Sequence, residues 1–213
     1  MNESLLSNTT DNSIVSRETE INSSYESQTT KETDLKNHII NSISLSLKDI
    51  IKENKSNEKY VQKDIFYLSF IPPISLEDYI KRLMKYTKMD ISTLINAIIY
   101  IDNFCDKNRY ILTQNNIFRI LLSVCLLSLK FNEDITINDK SYAEIAAVSV
   151  EDLKNLEFYM YLKLHFSLKI KYELYKSYFD YFSNYSIPKN DKKFKWKKLL
   201  LVIDLLIWII LLD

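Results

Sequence analysis

Asn116-Ile-Phe-Arg-Ile-Leu-Leu-Ser-Val-Cys-Leu-Leu-Ser-Leu-Lys-Phe131 decides the fold of this chain. The run is apolar nearly all round a helical wheel, and a helix of that kind is enclosed by neighbours rather than laid on a surface. It is too short, and too interrupted by Arg119 and its serines, to read as a membrane span. It therefore reads as the hub of an all-helical domain, with Thr113 or Asn115 expected as its cap.

The flanking sequence supplies the neighbours. Upstream, Pro72-Pro73 enforces an extended entry. Ser75 then stands as an N-cap, with Glu77 and Asp78 in the first turn, where the helix dipole favours acids. Leu76, Tyr79, Ile80, Leu83 and Met84 follow at helical spacing to about Thr87. Asp90 opens a second helix with Leu94, Ala97, Ile98, Ile101 and Phe104 on one face. Downstream, a polar loop (132–140) leads to a short helix from Tyr142 to Val148. Ser149 with Asp152 resembles a capping box, and Leu153, Leu156, Met160 and Leu164 form the buried stripe of a fifth helix. A break at 167–170 precedes a sixth from Tyr172 to Tyr185, carrying Leu174, Tyr175, Tyr178, Phe179 and Phe182. Pro188 closes the domain.

Three regions are expected: a disordered Ser/Asn/Thr-rich tail over 1–60, a helical domain over 61–186, and a Lys-rich then apolar segment over 187–213. The tail is too polar to offset its ordering entropy, although Leu35 to Ile51 has the scattered apolar residues of a short amphipathic helix. Residues 1–16 are polar and lack the charged start and apolar run of a signal peptide. The last segment has six lysines between Lys189 and Lys198, then an apolar stretch broken by Asp204. A packing helix, a truncated or mis-spliced end and a membrane-associating tail all stay open for it; a membrane span is not expected.

Composition narrows the function. The 213 residues contain no glycine, which excludes the Gly-rich phosphate cradles of P-loop and dinucleotide-binding enzymes. Lysine plus arginine equals aspartate plus glutamate, 28 each, so no global field favours nucleic acid or a membrane surface. Cys105 and Cys125 lie in apolar helical runs, as reduced core residues do. With His38 and His165 far apart, no zinc site or nucleophile–base pair can be read, so neither an enzyme nor a cofactor is expected. Two charges stand out. Lys130 and Glu157 sit among apolar residues, and such charges must face solvent or meet a partner.

Three words, Ala97-Ile-Ile-Tyr-Ile-Asp-Asn-Phe104, Leu126-Leu-Ser-Leu-Lys-Phe-Asn-Glu-Asp134 and Asn155-Leu-Glu-Phe-Tyr-Met-Tyr-Leu-Lys-Leu-His-Phe-Ser-Leu168, resemble the cyclin box. The lead-in Phe70-Ile-Pro-Pro-Ile-Ser-Leu-Glu-Asp-Tyr-Ile80 and the pair Phe118-Arg119 look like single-box cyclins of the phosphate-regulon and plant P/U types. The likeness covers about residues 64–182. It implies an all-α fold, a five-helix box with flanking helices, that binds a cyclin-dependent Ser/Thr kinase as a heterodimer and activates it by packing against its C-helix. By position, Lys130 and Glu157 match the family's lysine–glutamate pair, which holds kinase backbone. Phe131, Tyr161 and Leu168 match the apolar contacts around it, and Asp102 matches an aspartate that braces the box. The first helix lacks the arginine and tryptophan of multi-box relatives, and no Arg-x-x-Leu destruction word occurs in the tail. The balanced charge and reduced cysteines lead us to expect an intracellular location, cytoplasmic and/or nuclear. Two other readings stand beside the kinase-binding one: a cyclin-fold adaptor acting in transcription, for which the box lacks a basic face, and a helical adaptor for a non-kinase partner.

Overall fold

The structure, a computed structural model, describes residues 7–134 and 137–185. The chain divides into two units, Met1–His38 and Ile39–Asp213. Helix α1 (Ser7–Glu53) begins in the first and ends in the second. In the first unit, the side chains of residues 29–38 are exposed apart from half-buried Lys36, as their polar composition demands.

In the second unit, Ile39, Ile43, Leu47 and Ile51 recur every four residues and lie buried in the core together with Ile40. This corrects the expected boundary: residues 39–53 are packed helix, not part of a tail reaching residue 60, and the domain core begins well before 61. The amphipathic spacing over Leu35 to Ile51 is legible in the sequence, but not its burial, because the interleaved Ser42, Ser44 and Ser46, themselves buried, dilute the apolar content without breaking the face. A 3-10 stretch, Asn54–Tyr60, follows, and the Asn54 side-chain amide donates to the Leu112 carbonyl at 3.0 Å.

Among the described residues six further helices follow: α2 (Leu76–Thr87), α3 (Ile91–Asn108), α4 (Ile117–Asn132), α5 (Asp139–Ala146), α6 (Val150–Lys163) and α7 (Tyr172–Ser183). No strand occurs among the described residues. The apolar run that opened the reading is α4, which lies against α2, α3 and α6. Its residues Ile117, Ile120, Leu121 and Val124 are fully enclosed. Helix α5 packs on α2 and α6, and α7 covers α3. Arg119, the charge inside this hub, is satisfied twice. Its guanidinium donates to the Ile65 carbonyl at 2.6 Å and pairs with Asp152, so it ties the entry segment to the start of α6.

Capping largely follows the sequence. Ser75 accepts from the Asp78 N–H and Ser149 from the Asp152 N–H, each at 3.0 Å. Asn116, rather than Thr113 or Asn115, stands immediately before α4. Helix α5 starts at Asp139 and not Tyr142, because Asn138 in the polar loop accepts from the Ser141 N–H at 2.9 Å. The absence of glycine leaves a mark on the helix ends. Lys88, Arg109 and Ala147 close α2, α3 and α5 with φ of 56°, 48° and 56°, a left-handed conformation that costs an L-residue roughly 1–2 kcal/mol. The Lys-rich then apolar segment expected over 187–213, with Pro188 expected to close the domain, lies outside the described residues. No helix among the described residues is long and apolar enough to cross a membrane.

Candidate partner-binding cleft

Lys130 is in the last turn of α4, and Glu157 is in the middle of the adjacent α6. The pairing of these two helices brings the Lys130 Nζ to 2.9 Å from the Glu157 carboxylate. The same ammonium lies 2.9 Å from Asp139 Oδ1 at the start of α5. Side-chain exposures of 33%, 21% and 29% for Lys130, Glu157 and Asp139 place the cluster at the surface, neither in bulk water nor in the core. Partial burial alone would lower the Lys130 pKa, but the two carboxylates outweigh it and hold the ammonium above its ordinary value. Partly exposed ion pairs stabilise a fold by only about 0–1 kcal/mol, so stability gives little reason for three charges to meet here.

Beside the cluster is a cleft of about 320 Å³. Its wall contains Lys130, Phe131, Glu157, Tyr161 and Leu168, the five residues that the sequence reading grouped together. Leu127, Lys154 and Phe158 complete it. Glu157 and Tyr161 are one turn apart on α6 and so share a face. Leu168 is buried at the cleft floor, and its carbonyl accepts from the Tyr100 hydroxyl at 2.8 Å, which fixes the chain after α6 to α3. Burial lifts the Tyr100 phenol to about 12, so it stays a donor at any physiological pH.

The rim is aromatic. Phe131 is 55% exposed and Phe158 62%, and complete burial of such a side chain is worth about 1.5–3 kcal/mol. Just beyond α6, His165 and Phe166 both adopt φ of 55°. This reverses the chain and sets the Phe166 ring edge-on to Tyr161 at 4.9 Å. Residues held in this conformation without glycine cost of order 1–3 kcal/mol and cluster at functional surfaces.

Asp102 is not part of the cleft. It accepts from the Tyr178 hydroxyl and links α3 to α7. Burial pushes its carboxyl up to about 6, against the lowering effect of that hydrogen bond. Three cleft members were missed in the sequence, Leu127, Lys154 and Phe158, and so was Asp139 in the charge cluster beside them. Phe158 had a legible signal, since it lies off the buried Leu153–Leu156–Met160 stripe of its own helix. Asp139 had none, because its meeting with Lys130 depends on the path of the loop between α4 and α5.

Comparison with known proteins agrees with the box words. The family model described as Cyclin matches residues 1–168. Among curated proteins the chain is 29% identical over 115 residues to cyclin-U2-1 of Arabidopsis thaliana, covering 54% of this chain and 52% of that protein. It is 32% identical over 99 residues to cyclin-U3-1 of the same plant, covering 46% and 45%. With cyclin-P3-1 of Oryza sativa subsp. japonica it shares 26% over 130 residues, covering 61% and 54%. The chain spans about half the length of the curated relatives it matches.

Proposed function

Because the chain belongs to the cyclin family, we propose that it is the regulatory subunit of a cyclin-dependent Ser/Thr protein kinase. Membership supports a regulatory role in itself; the proposal adds the partner and the surface. The observation that carries it is the Lys130–Glu157 ion pair, 2.9 Å long, at the edge of a cleft with two half-exposed phenylalanines.

In this reading Lys130 donates to, and Glu157 accepts from, the kinase backbone. Phe131, Tyr161 and the Leu168 wall receive apolar side chains of the kinase C-helix. A cyclin performs no chemistry. It binds one state of a mobile helix better than the other and so shifts its population. With the C-helix held inward, the kinase's own lysine–glutamate pair forms and aligns the ATP phosphates. Asp102 acts inside the box, joining α3 to α7 behind the contact surface.

The test is co-purification. Truncating one side of a desolvated, hydrogen-bonded charge contact costs about 2–5 kcal/mol, enough to lose a complex in a wash. Lys130→Ala and Glu157→Ala should each lose a cyclin-dependent kinase that the wild-type chain retains, with helicity by circular dichroism unchanged. Retention of the kinase by the double alanine variant would overturn the site, and failure of the wild-type chain to recover any such kinase would overturn the function.

A further inference from the structure

The Lys130 ammonium is shared between two carboxylates from different helices, Asp139 Oδ1 and Glu157, each at 2.9 Å. We propose that Asp139 is a positioning residue of the cleft: it clamps Lys130 against Glu157 so that the ammonium is pre-set for an acceptor oxygen on the partner. This rests on the reading of Lys130 as a partner contact given above.

The donor count supports it. An ammonium has three N–H donors and accepts nothing. Its Nζ stands 2.9 Å from Asp139 Oδ1 and 2.9 Å from both Glu157 oxygens, and no other partner of Lys130 stands among the described residues. Because the two Glu157 oxygens can share one N–H, a donor can still turn to a backbone carbonyl of the partner. A lysine on a flexible four-carbon stem loses rotamer freedom when a partner fixes it, and a clamp removes that loss before the partner arrives. The geometry is also well supported from behind. Asn138 caps α5 through the Ser141 N–H, which fixes where Asp139 begins the helix.

Asp139 has a competing role, because an acid in the first turn of α5 complements the helix dipole whatever Lys130 does. The two roles separate in a double-mutant cycle. Asp139→Asn keeps the shape and removes the charge. Its affinity should be measured by calorimetry, alone and with Lys130→Ala, against the purified kinase that co-purifies with the wild-type chain. The clamp predicts that Asp139→Asn weakens binding about tenfold in the wild-type background and not at all in the Lys130→Ala background. Asp139→Glu should recover most of the loss. In the free protein, nitrogen-15 relaxation should show the Lys130 ammonium becoming more mobile in Asp139→Asn, which a purely helix-dipole role would not produce.

Equal weakening in both backgrounds, or an ammonium as ordered as in wild type, would overturn the clamp. Wild-type affinity in Lys130→Ala would instead overturn the kinase-site reading. The ammonium's mobility would still decide the clamp in that case.

Discussion

Asp102→Asn should abolish a pH dependence of stability that the wild-type chain carries between about pH 4 and pH 6. The Asp102 carboxyl is half-buried and accepts from the Tyr178 hydroxyl. Burial raises its pKa from 3.8 to about 6, the Tyr178 hydrogen bond lowers it, and nearby Asp106 adds to the rise. A rise from 3.8 to about 6 amounts to about 3 kcal/mol. Well below pH 3.8 the carboxyl is neutral in folded and unfolded chains alike, and the full contribution is present. As the pH rises toward 6 the unfolded chain ionises while the folded chain keeps its proton. The folded state then binds more protons, and stability must fall with pH. The loss levels off above the folded pKa. Asparagine does not titrate, so urea unfolding of both proteins from pH 3.5 to 7.5 isolates the effect. The stability of Asp102→Asn relative to wild type should increase by about 3 kcal/mol across that window. Parallel stability curves over the whole range would refute the burial of the carboxyl between α3 and α7.

Three other perturbations test the rest of the account. Ala147 holds φ of 56° at the end of α5 with no side chain to compensate, so Ala147→Gly should raise stability by about 1 kcal/mol, read as a higher melting temperature; an unchanged or lower value would contradict the strain. Ile43→Ala or Leu47→Ala removes a fully enclosed side chain from α1 and should cost about 2–5 kcal/mol in chemical unfolding. Neither would matter if residues 39–53 were a tail. Phe158→Ala should weaken kinase binding by about 1–3 kcal/mol in calorimetry while leaving the melting temperature within a degree or two, because its ring is mostly in solvent in the free chain.

Local chemistry carried much of this protein into the sequence. The all-round apolar run became α4, the serine caps at Ser75 and Ser149 appear with their hydrogen bonds, and the stripe Leu153, Leu156, Met160 and Leu164 is wholly buried. Each of these depends on contacts within one helical turn, or on a 3.6-residue period that any neighbour could satisfy. Two features depend on distant segments: the burial of an amphipathic stripe whose spacing alone was legible, and a charge contact that was not legible at all. The stripe of Ile39, Ile43, Leu47 and Ile51 needed an acceptor surface before it counted as core. Asp139 met Lys130 only after α5 had docked on α6 and α4 had brought its last turn alongside. Helix periodicity states which face is apolar but not what lies across from it, so charges from three separate helices become neighbours only through packing.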